Sequence, residues 1–199
     1  MSATLAPKVA RGHLSVLEDT LTALELQISR LTRWGRTLAE RLGEGNRVLA
    51  AGNGGSAAEA QQLAAEVVGR YHDERQPYSA IALHADMSSL TAVGDDYGYD
   101  YGEVFARQVA AHARPHDILV LLSANGRSHN LVRAAEAGLR AGATVWALTG
   151  PGPNPLANVA DDALCLPGTA VTVQEAHLVA VHILTEAFEA ELCATLPAP

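Results

Sequence analysis

The sequence predicts an α/β protein in which a parallel sheet is covered by helices on both faces, with a helical segment ahead of the first strand. Three observations carry that prediction. Short apolar runs alternate with stretches at helical spacing, the pattern of strand and crossover helix. One run, Asp117-Ile118-Leu119-Val120-Leu121-Leu122, is unbroken after its first residue, as expected of a strand buried on both faces. Leu49 to Arg70, LAAGNGGSAAEAQQLAAEVVGR, passes from an apolar run through a glycine-rich turn into an alanine-rich helix. With 199 residues and 48% hydrophobic content the chain can bury one substantial core, so a single domain over residues 1–199 is expected.

The first element is Gly12 to Leu42, part of a helical segment over about residues 5–44. Leu14, Leu17, Leu21, Leu24, Ile28, Leu31 and Trp34 recur at spacings of three and four and form one apolar stripe, with an interruption expected near Gly35. Such a stripe has to be covered, and contact with another subunit is the favoured cover. Asn46 to Ala51 reads as the first strand, Gly52-Asn53-Gly54-Gly55-Ser56 as a turn, and Ala57 to Val68 as helix. Tyr78 to Leu83 is a second strand, followed by a polar run, His84 to Asp100, and a helix, Glu103 to Ala113. The strand at Asp117–Leu122 runs into the loop Ser123 to Asn130 and a helix, Leu131 to Ala141. Ala143 to Leu148 is another strand, Thr149 to Pro155 a turn-rich loop, Ala163 to Leu166 a last short strand, and Val173 to Leu192 the final helix.

Charge narrows the function. Lys and Arg number 14 against 22 Asp and Glu, a net charge of −8 with no basic block, which argues against nucleic-acid or anionic-membrane partners. Cys165 and Cys193 have no metal-ligand or CxxC spacing, and no secretory or membrane-spanning stretch is visible. A cytoplasmic protein with reduced thiols is the expectation.

Ligands of parallel α/β folds sit at the carboxyl ends of the strands. Both Gly52–Ser56 and Ser123–Ser128 leave such an end and enter a helix, combining glycine with hydroxyl or amide side chains. Glycines let the backbone approach a ligand, and the unpaired N–H groups of a helix start favour an anion, so a phosphate monoester suits both loops. The same serines would also serve as ordinary helix caps. Gln62 and Glu66 are four apart and share a helix face. In the last helix Gln174, Glu175, His177 and His182 sit among apolar residues that point nearly all round the axis, so a histidine there needs a partner. His182 lies ~80° from Gln174 and ~140° from His177, so one pocket accommodates Gln174 with His182 more easily than both histidines. Spacing alone supports a hydrogen-bonded core histidine for each.

Four separated stretches together are more specific. Ala51-Gly52-Asn53-Gly54-Gly55-Ser56-Ala57-Ala58-Glu59-Ala60-Gln61, Ala64-Ala65-Glu66-Val67-Val68-Gly69-Arg70, Leu90-Thr91-Ala92-Val93-Gly94-Asp95-Asp96-Tyr97-Gly98-Tyr99 and Val173-Gln174-Glu175-Ala176-His177 resemble the phosphoheptose isomerases. These sugar-isomerase (SIS) domain proteins interconvert sedoheptulose 7-phosphate and D-glycero-D-manno-heptose 7-phosphate, and the resemblance covers nearly the whole chain. It implies a three-layer α/β/α sandwich with a five-stranded parallel, flavodoxin-like sheet, and a homotetramer with active sites between subunits. By the same resemblance Glu66 is the general base and His182 its acid/base partner. Asn53, Gly54, Ser56, Arg70, Asp96, Ser123, Asn125, Ser128 and Gln174 contact the sugar phosphate. Some members bind zinc through the positions of Gln62, Glu66, Gln174 and His182, where the ion polarises the carbonyl and stabilises an enediolate.

The departures are specific. The family's metal-site histidine is Gln62, and an amide oxygen is a poorer zinc ligand than imidazole. Where the phosphate loop commonly reads Ser-Thr-Ser-Gly-Asn-Ser, this chain has Ser123-Ala124-Asn125-Gly126-Arg127-Ser128, with two hydroxyls gone and a cation gained that can pair with phosphate. Val171 and Thr172 stand where polar or basic residues are common in the family. Two classes of function follow. One is an aldose–ketose isomerase of a seven-carbon sugar phosphate, early in activated-heptose biosynthesis, or of another sugar phosphate. The other is a non-catalytic SIS protein, as in the replication-initiator-associating adaptors, which lack the glutamate and late histidine that Glu66 and His182 supply here.

Overall fold

Alternate residues of the central strands bury on opposite faces, which is why their sequences are apolar throughout. In this computed structural model, which describes residues 5–195 apart from 73, 97 and 99, β1 (Val48–Gly52), β2 (Ala80–Ala82), β3 (Ile118–Ser123), β4 (Thr144–Thr149) and β5 (Asp162–Cys165) form one sheet. All pairings are parallel, in the order β2-β1-β3-β4-β5. Val48, Ala50, Val120, Leu122, Trp146 and Leu148 face one helical layer, and Leu49, Ala51, Leu119, Leu121, Val145 and Ala147 face the other.

The first layer holds α2 (Ile28–Gly43), α3 (Gly55–Val68) and α8 (Ala170–Thr195), with α1 (Leu5–Glu25) packed along α8. The second holds α5 (Val104–His112), α6 (His129–Arg140) and the short α7 (Pro155–Val159). None of the helices among the described residues is long and apolar enough to cross a membrane. Both cysteines are free.

The N-terminal stripe divides. Leu24, Leu31, Trp34, Leu38 and Leu42 are buried in the chain's own core, whereas Leu14 and Ile28 stay exposed. Trp34 stacks on Trp146 at 4.6 Å and donates its indole N–H to Asp162 at 2.9 Å, a contact worth about 0.5–1.5 kcal/mol beyond burial. The helical break lies between Glu25 and Ile28, not near Gly35. Gly35 sits inside α2 against α8, where an added Cβ would come within 2.7 Å of the Ala187 Cβ and 2.8 Å of the Phe188 nitrogen. It marks close helix packing rather than an interruption.

Two segments read as loops contain short helices. Within His84–Asp100, Asp86 caps α4 (Met87–Thr91) by accepting from the Ser89 N–H, and a wide π-helical turn follows over Ala92–Asp96. In the turn after β4, the Asn154 side chain accepts from the Ala157 N–H and starts α7.

Candidate active site

With β2 and β3 on either side of β1, the chain reverses direction across the sheet between β1 and β3, where open α/β sheets hold ligands. The two loops expected to bind phosphate flank that crevice. Gly54 adopts φ +56°, a left-handed conformation that costs glycine little, and turns the chain from β1 into α3. Asn53 and Asn130 tie the loops together, each amide donating to the other's oxygen at 3.0 Å. The Tyr101 hydroxyl reaches Asn53 at 3.4 Å. In the second loop the Ser123 and Ser128 hydroxyls lie 3.3 Å apart, the Gly126 N–H donates to Ser123, and the Arg127 N–H donates to Asn125. Beside them a groove of about 590 Å³ is lined by Asn53, Tyr101, Ser128 and His129. The Ser56 side chain, in the first turn of α3, is buried.

One end of α3 and the middle of α8 bring the expected acid/base pair together. Glu66 is buried, and its Oε1 lies 3.4 Å from Nε2 of His182, whose side chain is 37% exposed. The carboxylate has two further partners. Gln62, one turn earlier on α3, donates its amide N–H to Oε1 at 2.7 Å, and Thr185, one turn beyond His182, donates its hydroxyl to Oε2 at 2.8 Å. The Tyr71 ring stacks on the His182 ring with centroids 5.5 Å apart. Burial, then the charges of Glu66, Glu186 and Glu189, hold the Tyr71 phenol above its ordinary range.

Gln174 extends the site toward the first loop: a Cβ on Gly55 would lie 2.9 Å from its Oε1. Gly55, Gln62, Val171 and Gln174 line a cleft of about 360 Å³. Thr172, by contrast, is buried and bonded to Thr169 and Thr20. His177 turns away from His182, as the helical angles require. It faces the Thr149 carbonyl at 3.3 Å and Glu59 at 3.8 Å in the interior. Burial lowers His177 to about 4 and raises Glu59 to about 7, the latter opposed by the Ser56 hydroxyl.

Of the other expected residues, Arg70 is exposed and pairs with Glu74 at 3.2 Å, and Asn125 is exposed within its loop. Asp96 ends the π-helical turn, and its side chain lies outside the described residues. Thr185, Tyr71 and Asn130 join the site without having been expected. Thr185 lies three residues after His182 on one helix, a spacing that marks it once His182 is known to face the site.

Known proteins resemble this chain over most of its length. The SIS domain profile matches residues 13–150. A phosphoheptose isomerase of Streptomyces coelicolor is 57% identical over 191 residues, 95% of this chain and 81% of the relative. The chain belongs to the phosphoheptose isomerase family. Two solved structures of that family superimpose closely. The Neisseria gonorrhoeae protein has a TM-score of 0.82 at 31% identity, over 94% of this chain and 100% of the other. The Francisella tularensis protein has a TM-score of 0.84 at 29% identity, over 94% and 99%.

The zinc set of some phosphoheptose isomerases does not fit the residues present. Gln62 and Gln174 are neutral amides, leaving Glu66 and His182 as the strong donors. Among the described residues no group of three or more His, Cys, Asp and Glu side chains is placed to hold a metal ion. A carboxylate only accepts, so the face of the Gln62 amide turned to Glu66 is its N–H face, which does not ligate a cation.

Proposed function

We propose that the chain isomerises sedoheptulose 7-phosphate to D-glycero-D-manno-heptose 7-phosphate through an enediol. The observation that carries this reading is the contact between buried Glu66 and half-exposed His182, 3.4 Å apart, close to two phosphate-suited loops. A ketose-to-aldose isomerisation requires that combination: a carboxylate to take a proton from carbon 1 and return it at carbon 2, and a second group to move a proton between the two oxygens. Ser123, Ser128 and the N–H groups at the starts of α3 and α6 hold the phosphate, and Arg127 supplies a cation beside it. Glu66, fixed by Gln62 and Thr185, carries the proton between carbons. His182, steadied by the Tyr71 ring, serves oxygens 1 and 2. Each proton removed is returned, so the reaction consumes no co-reactant.

The relatives named phosphoheptose isomerase support the seven-carbon substrate. Exposed Leu14, Val171, Leu178 and Val179 support a contact between copies, as in a homotetramer, and the composition suits the cytoplasm. The adaptor reading gains nothing from the site, since an adaptor has no use for a buried carboxylate paired with a histidine. The test is incubation with sedoheptulose 7-phosphate while following the aldose product. Turnover is expected. Turnover of another ketose phosphate instead would move the substrate, and binding without turnover would favour the adaptor.

A further inference from the structure

We infer that this chain works without a metal ion, and that Gln62 and Thr185 hold Glu66 in the place a metal would occupy in its zinc-binding relatives. The inference rests on the isomerase reading and goes beyond it. A zinc ligand set needs lone pairs converging on one point, and the three nearest groups to Glu66 converge differently. Gln62 donates an N–H to Oε1 at 2.7 Å, His182 approaches the same oxygen at 3.4 Å, and Thr185 donates to Oε2 at 2.8 Å. Both carboxylate oxygens therefore face hydrogen-bond donors. A cation entering between Gln62 and Glu66 would have to break the shorter bond and turn the amide over.

Thr185 adds what a fixed donor lacks. Its hydroxyl has one proton and two acceptors in reach, Glu66 Oε2 at 2.8 Å and the Val181 carbonyl at 2.9 Å. While Glu66 is ionised, the charge-assisted bond to Oε2 is the stronger. When that oxygen carries the substrate's proton, the hydroxyl turns to Val181 and accepts from the carboxyl. The base keeps its orientation in both states of the reaction, and no ion is required. Thr185 is thus a positioning residue acting through Glu66.

Two measurements test this. Calorimetric titration of zinc alone into dialysed protein is expected to show no site in the wild type and a one-to-one site in Gln62→His, which restores an imidazole donor. A zinc site in the wild type overturns metal independence, and no site in Gln62→His overturns the placing of Gln62 where the metal would sit. In steady-state turnover, Thr185→Val is expected to lower kcat about tenfold with KM nearly unchanged, and Thr185→Ser to restore it. Wild-type kcat in Thr185→Val overturns the positioning role, and loss of wild-type turnover on chelation with recovery on adding zinc overturns metal independence. The calorimetry needs no substrate, so a wild type inactive on sedoheptulose 7-phosphate counts against the isomerase reading while the zinc comparison still decides the inference.

Discussion

Arg75 and Glu189 form an ion pair at 2.9 Å with both side chains 8% exposed, and through it the end of α3 is tied to α8 behind the contact between Glu66 and His182. Glu189 also accepts from the Tyr71 and His72 N–H groups, and Arg75 donates to the Glu66 and Val67 carbonyls. Burial alone would raise Glu189, but the N–H groups of Tyr71 and His72 and the Arg75 guanidinium bring it below the ordinary glutamate range. Its contribution to stability is therefore present above that range and lost as pH falls through the lowered native value. Glu189→Ala strands Arg75 and the two N–H donors of Tyr71 and His72 in the interior, with an expected cost of about 3–5 kcal/mol in urea denaturation. Turnover at a permissive temperature falls as well, because Tyr71 loses the anchor that sets it against His182.

Gly35→Ala is expected to destabilise by about 1–3 kcal/mol despite alanine's better helix propensity, since the new methyl meets backbone of α8 that cannot yield cheaply. A thermal melt separates the outcomes: a raised midpoint would mean that α2 and α8 are less closely packed than 2.7 Å implies.

The buried Glu59 and His177 oppose each other in pH dependence. Glu59 rises from 4.5 to about 7, so over that window the native state holds a proton that the unfolded chain has lost, and stability falls as pH rises. His177 drops from 6.5 to about 4, so between those values the unfolded chain holds the extra proton and stability rises with pH. Where the windows overlap the two slopes cancel. Glu59→Gln removes one of them, and its melting temperature is expected to climb relative to wild type between pH 4.5 and about 7, the Glu59 window. A parallel offset at all pH values would refute the opposition.

The sheet was legible because burial on both faces writes itself into unbroken runs such as Ile118–Leu122, and the loops at strand ends followed from glycine and serine chemistry. Gly35 misled because a glycine in a helix signals a break and a close contact equally, and only the packing of α8 distinguishes them. Half of the leucine stripe went to the chain's own core, a choice that helical spacing cannot express. Glu66 and His182 were readable through resemblance to a family, since spacing gave each no more than an ordinary face or a core position. Thr185 escaped because its role depends on which side of α8 meets α3. The approach of His177 to the Thr149 carbonyl and to Glu59 was hidden for the same reason, although its need for a partner was plain from the apolar residues around it.

Proton transfer between carbons 1 and 2 by Glu66 is read from kcat for sedoheptulose 7-phosphate in Glu66→Gln against wild type. The amide keeps the shape and an acceptor for Thr185 but has no basicity, so kcat is expected to fall about 10²–10⁴-fold while the protein stays folded and still binds the sugar phosphate. A kcat within a few-fold of wild type would place the base elsewhere.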